Sequence, residues 1–173
     1  NYYFPTGYSS FATLFDHDIN LLDHFVPINT VFYTGSLLGG NIIVSTNNDT
    51  NVLTTAGETP ILRAGHGYHV FIPQSFWLNV TCVPFFANKM ELYISETYTS
   101  LGLTVSQPIN LLSMFVPEFT IFYTGSLLGG NIIITSSNAT NVLTTTGESP
   151  VLQPGIGYHV FSNHPFWLNY STY

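Results

Sequence analysis

The sequence predicts an all-β protein built as two tandem homologous β-sandwich domains, and three observations predict it. First, the segment from Phe32 to Ile43 recurs unchanged from Phe122 to Ile133, ninety positions later. With that offset and no gaps, residues 1–83 align with residues 91–173. Second, short runs rich in Val, Ile, Thr, Tyr and Phe alternate with Gly, Pro and Asn clusters, as strands alternate with turns. Third, no segment sustains the 3.6-residue apolar period of an amphipathic helix. A period near ninety is too long for most solenoid repeats and suits a small sandwich.

Within the first copy, residues 41–45, 51–55, 67–71 and 76–81 read as strands. Gly39-Gly40, Asn47-Asn48-Asp49, Gly57-Glu58 and Pro73-Gln74 read as turns. Period-2 alternation puts Phe76, Leu78 and Val80 on one face and Trp77, Asn79 and Thr81 on the other. Residues 19–25 are apolar enough for a short helix or a strand, and the pattern does not choose. Residues 89–96 read as a further strand with Met90, Leu92 and Ile94 on one face. The ninety-residue offset matches this strand to the N-terminal residues 1–5, Tyr93 falling on Tyr3. It therefore counts either as the last strand of copy one or as the first of copy two. The expected division is residues 1–88 and 89–173.

Charge excludes several functions. Only 6% of residues are charged, against about 25% in an ordinary soluble domain. Arg63 and Lys89 are the two cations against nine carboxylates, for a formal net charge of −7. A phosphate backbone is bound by clustered Lys and Arg that displace counterions, so no nucleic-acid partner is expected. Attachment to anionic lipid fails for the same reason. Apolar residues make up 45% of the chain, ample for a packed core. No uninterrupted apolar run approaches the ~18 residues of a membrane span. Hydroxyls and amides, attached glycans, or burial in an assembly must therefore hydrate or cover the surface.

Compartment and modification point outward. The sequence starts at Asn1 without an initiator Met, as removal of a secretory signal or fragmentation of a longer chain would leave it. A lone cysteine, Cys82, rules out an internal disulfide framework. Four N-x-Ser/Thr acceptor sites occur at Asn48, Asn79, Asn138 and Asn169. They form two repeat-equivalent pairs, 48 with 138 and 79 with 169. The middle residue differs within each pair and Thr81 is matched by Ser171, yet the acceptor pattern survives both changes. N-linked glycans on a secreted protein are the expectation.

Catalysis is not expected. His66 corresponds to Ile156 and His24 to Met114, and the cluster Asp16, His17, Asp18 corresponds to Ser106, Gln107, Pro108. Only His69 with His159 and Glu58 with Glu148 repeat, which suits a Glu–His tie between a turn and a strand. No nucleophile motif stands beside a base, and no cofactor or metal set is evident. A hydrolase using Asp16, His17 and Asp18 in the first copy is the remote alternative. A nearer one is a carbohydrate-binding module using Trp77, Trp167 and exposed Tyr.

The ends of the repeats suggest assembly. If residues 89–96 close copy one, copy two lacks an equivalent closing strand. The N-terminal strand of a second molecule, with Tyr2, Tyr3 and Phe4, would then take on copy two the place that Leu92, Tyr93 and Ile94 hold between the copies. Such a heterologous contact propagates head-to-tail, through strand addition to a sheet edge. The partner is then the chain itself.

In each copy a hydroxyl-rich strand pair at 41–55 is followed by Gly67-Tyr-His-Val-Phe-Ile-Pro73, by Phe76-Trp-Leu-Asn-Val-Thr81 and by a strand at 89–96. This tail resembles the secreted CUB-like β-sandwich domains of nematodes, without the paired cysteines common in CUB-type domains. The resemblance implies a secreted, sandwich-shaped, non-enzymatic module. The sequence reading is thus an extracellular, glycosylated structural or adhesive protein that self-assembles into a filament or similar polymer.

Overall fold

The computed structural model describes residues 1–33, 41–45, 52–54, 58–81, 89–123, 131–135, 142–144 and 148–171. Among these, all regular structure is β-strand apart from two single-turn 3-10 helices. The first repeat contributes β1 (Tyr2–Phe4), β2 (Gly7–Ala12), β3 (Ile19–Asn20), β4 (Val31–Tyr33), β5 (Ile42–Val44), β6 (Val52–Thr54), β7 (Ile61–Leu62), β8 (Gly67–Ile72) and β9 (Phe76–Leu78). The second contributes β10 (Lys89–Ile94), β11 (Thr97–Gly102), β12 (Ile109–Asn110), β13 (Ile121–Tyr123), β14 (Ile132–Ile134), β15 (Val142–Thr144), β16 (Val151–Leu152), β17 (Gly157–Ser162) and β18 (Phe166–Ser171).

Each repeat forms the same three antiparallel sheets. In the first, the five-stranded order is β2-β8-β4-β5-β6, with two-stranded sheets β1-β9 and β3-β7 beside it. The second repeats this as β11-β17-β13-β14-β15, β10-β18 and β12-β16. The segment 19–25, ambiguous in sequence, resolves into the short strand β3 followed by a 3-10 turn at Leu21–Asp23. Asn20 caps that turn, its side chain accepting from the Leu22 N–H at 3.1 Å. Asn110 caps the equivalent turn at 3.0 Å.

Two hydrophobic clusters lie one per repeat, each between the five-stranded sheet and the smaller ones. In the first, Phe4 of β1 stacks on Phe76 of β9 at 5.0 Å and meets Phe11 of β2 edge-on at 5.1 Å. Phe32, Val70, Ile72 and Leu78 complete a side-chain interior with almost no water contact. Each such side chain contributes about 1.5–3 kcal/mol by leaving water. The second cluster contains Ile94, Leu101, Phe122, Val160, Phe166 and Leu168. The all-β, sandwich-like character expected from the sequence is what these layers show. The turns expected at Gly39-Gly40 and Asn47-Asn48-Asp49 lie outside the described residues, as does Cys82.

The repeats pack on one another where β8 and β17 approach. A Cβ built on Gly67 would lie 2.2 Å from the Leu101 carbonyl oxygen, and one on Gly157 would lie 2.3 Å from that of Phe11. Only glycine lets two backbones approach so closely. The Ala12 N–H donates to the Gly155 carbonyl at 3.1 Å, and the Gly102 N–H donates to that of Gly65 at 3.2 Å. These two bonds exchange under the ninety-residue offset, so the contact is reciprocal in the manner of an isologous interface.

Candidate functional site

Two surfaces carry chemistry that core packing does not require. The first is the outer face of the small sheet that joins the first and last strands of each repeat. β1 pairs with β9 in the register Tyr2 with Leu78, Tyr3 with Trp77 and Phe4 with Phe76. β10 pairs with β18 in the matching register, Leu92 with Leu168, Tyr93 with Trp167 and Ile94 with Phe166. Alternation buries Phe4, Leu78, Ile94 and Leu168 and turns the rings of Tyr3, Trp77, Tyr93 and Trp167 outward. Each outward Tyr rests against its cross-strand Trp, with ring centroids 5.1 Å apart in the first repeat and 5.2 Å in the second. Both tryptophans remain more than half exposed, at 57% and 58%.

This pairing decides the ambiguous strand. Residues 89–94 are the first strand of the second repeat, because their side-chain alternation and register reproduce those of Tyr2–Phe4 against β9. The second repeat is therefore not one strand short, contrary to the premise drawn from the sequence. Among the assembly residues, Phe4 and Ile94 are core, while Tyr2 is half-buried against Phe11 and Phe15 at 4.9 and 5.1 Å. Leu92 packs at the margin of the second cluster. Tyr3 and Tyr93 alone present their rings to solvent.

Asn79 and Asn169 lie on this same outward face, two residues beyond Trp77 and Trp167, and both are exposed. Their acceptor hydroxyl residues, Thr81 and Ser171, are exposed too. Asn48 and Asn138 lie outside the described residues.

The second surface is the junction between repeats. The rings of His69 and His159 stack there at 3.8 Å with planes 30° apart. The backbone of Tyr123 and Gly157 favours the charged form of His69, and that of Tyr33 the charged form of His159, so each imidazole faces the opposite repeat. Burial lowers both from the ordinary histidine value, and the neighbouring His69 helps to bring His159 down to about 3. The stack is thus of neutral rings. Both Nε2 atoms are buried and without a hydrogen-bond partner among the described residues. The strands around the pair (β2, β4, β8, β11, β13 and β17) carry Tyr8, Tyr33, Tyr68, Tyr98, Tyr123 and Tyr158 and not one Asp, Glu, Lys or Arg. Sequence reasoning expected His69 to tie to Glu58, and its ring goes to the other repeat instead. The available signal was that glycine and histidine recur together at 67 and 69 and at 157 and 159.

The remaining titratable groups meet at most in exposed pairs among the described residues. His17 Nδ1 and Asp16 Oδ1 meet at 2.6 Å on an exposed loop, while Asp18 accepts the Ala64 N–H at 2.8 Å. His66 is exposed and bonds to the Ala64 carbonyl at 3.2 Å. Among the described residues, no group of three His, Cys, Asp or Glu side chains could hold a metal ion. A shallow depression is rimmed by the exposed rings of Phe115 and Phe119, with Glu118 and His164 on its wall. Comparison with protein-family models, curated proteins and solved structures finds no match to this chain. No helix among the described residues is long and apolar enough to cross a membrane.

Proposed function

We propose that the chain is an extracellular, glycosylated structural or adhesive protein, formed of two tandem β-sandwich domains at 1–88 and 89–173, and not an enzyme. The observation that carries this reading is the outward position of Asn79 and Asn169 at equivalent places on the two small sheets. The surface of a chain with 6% charged residues gains hydration from sugar that it does not gain from ions. In shape and in secretion the reading fits the CUB-like resemblance. Copies of the chain join head-to-tail, the end bearing Tyr2–Phe4 meeting the second-repeat end of a neighbour. Since β1 and β10 each pair within their own repeat, joining proceeds along outer strand edges or by exchange of a strand, not by filling an open place.

Sedimentation velocity of the secreted protein across a wide concentration range tests assembly, with glycopeptide mapping of the same material testing modification. A distribution that broadens to ever larger species with concentration supports the reading. A single sharp species of monomer size at every concentration removes self-assembly. Unmodified asparagines at all four acceptor sites remove the glycoprotein. A second reading, a non-catalytic carbohydrate-binding module, is favoured by the exposed Tyr3–Trp77 and Tyr93–Trp167 pairs.

A further inference from the structure

We propose that the first sugar of an N-linked glycan on Asn79 lies against the Trp77–Tyr3 pair, and that on Asn169 against the Trp167–Tyr93 pair. Each aromatic pair is then a built-in seat for the chain's own carbohydrate. The inference rests on the glycosylation proposed above and goes beyond it by giving the glycan a structural role.

Four observations carry it. The aromatic pairs stand open to solvent at equivalent places in both repeats, each ring at least half exposed. Asn169 follows Trp167 by two residues on one face of β18, which sets their side chains about 6.5–7 Å apart, and Asn79 stands at the equivalent place one residue past the end of β9. A pyranose joined to the Asn79 amide is therefore delivered beside the indole rather than away from it. A sugar ring offers an apolar C–H face that packs on an aromatic face, while its hydroxyls stay in water, the arrangement that an amphipathic indole edge accepts. Finally, the cross-strand contact with Tyr3 or Tyr93 pre-orients each indole, so little rotamer freedom is left to lose on stacking. The neighbour of Asn169 across the strand pair is Glu91, an acceptor for a sugar hydroxyl.

The test exploits composition: Trp77 and Trp167 are the only two tryptophans of the chain, so tryptophan emission reports these two faces and nothing else. The full chain is secreted from a glycosylating host, mapped for glycan occupancy, and measured in three states. These are the intact glycoprotein, the protein trimmed to one residual sugar per site, and the protein freed of glycan by amidase. Full removal is expected to red-shift the emission and lower the melting midpoint by about 2–4 °C. Trimming to one sugar is expected to change neither. A variant carrying Thr81→Ala and Ser171→Ala, which retains the acceptor sites at Asn48 and Asn138, is expected to match the fully stripped protein. Glycan mapped on Asn79 and Asn169 with an emission spectrum indifferent to its removal overturns the inference and leaves the glycoprotein reading standing. Unoccupied asparagines at both positions overturn the inference, and unoccupied asparagines at all four acceptor sites overturn the glycoprotein reading as well. Emission shifted by free chitobiose, in stripped and intact protein alike, overturns it in favour of an external carbohydrate ligand.

Discussion

The two repeats agree along the crossing strands β8 and β17 and diverge most in an exposed loop. The crossing strands β8 and β17 share Gly-Tyr-His-Val-Phe and differ only at their last residue, Ile72 against Ser162. Away from the crossing, the exposed Asp16-His17-Asp18 loop has no charged equivalent. Asn29, at φ 65°, is replaced by the exposed Phe119 at φ 63°. Asparagine takes up that left-handed conformation readily, whereas a bulky ring holds it under strain. The difference teaches where geometry constrains the residue: Gly67 and Gly157, whose Cβ positions are filled by the opposite backbone, are alike in both repeats, whereas a loop tip is at liberty to change.

The comparison breaks most severely at the crossing glycines. Gly157→Ala puts a methyl group 2.3 Å from the Phe11 carbonyl oxygen. Neither party is a flexible side chain, so relief requires the repeats to separate. A loss of about 3 kcal/mol or more is expected, measured by urea denaturation. Gly7→Ala is the control. Its Cβ would meet nothing within 4 Å, and only the φ of +108° opposes it, for a loss of about 1–2 kcal/mol. Equal losses from the two substitutions would mean that the repeats do not lean on one another in solution.

Acid acts on the same junction. The folded values of His69 and His159 lie below the ordinary 6.5, that of His159 at about 3. Above pH 6.5 neither the folded nor the unfolded chain protonates these rings, and they contribute no pH dependence. As the pH falls from 6.5 towards 3 the unfolded chain takes up protons that the fold refuses, so stability falls. The slope due to His159 approaches ~1.4 kcal/mol per pH unit, with His69 adding in the same direction. Denaturation midpoints from pH 7.5 to 4 check this, against a His69→Phe, His159→Phe variant that keeps the stacked rings and loses their protons. An unchanged slope in the variant would place the acid sensitivity elsewhere.

What sequence alone could reveal follows from the range of each interaction. Alternation along 76–81 and 89–94 was visible because burial against a core imposes period two on contiguous residues, and the structure buries Phe76, Leu78, Met90 and Ile94 accordingly. Strand β2 was not visible. Gly7-Tyr-Ser-Ser-Phe-Ala12 has no clean alternation, because part of it faces the other repeat rather than solvent or core. The ambiguity of residues 19–25 came from a strand of two residues running directly into a capped 3-10 turn. Which repeat owned residues 89–94 depended on a register with β18 more than seventy residues away. The histidine stack depended on a contact between repeats, for which neither copy carries a periodic signal.

The smallest expected effect is also the sharpest comparison, because it concerns one hydroxyl in two settings. Thr30 and Thr120 are both fully buried at equivalent positions. In the second repeat the Thr120 hydroxyl meets that of Ser162 at 3.2 Å, and Ser162 donates onward to the His164 carbonyl at 2.7 Å. In the first, Ile72 occupies the place of Ser162, and the Thr30 hydroxyl has no hydrogen-bond partner among the described residues. A buried polar group costs about 1–3 kcal/mol when unpaired and is mildly favourable when paired. The near-isosteric change Thr30→Val is therefore expected to raise stability by about 1 kcal/mol, while Thr120→Val lowers it by a similar amount and leaves the Ser162 hydroxyl with the backbone of His164. Thermal unfolding of the two single variants beside the parent checks the signs. Opposite signs from one substitution at two matched positions would show that the repeats, though copies, balance their interiors differently; matching signs would place an unseen partner, such as a buried water, on Thr30.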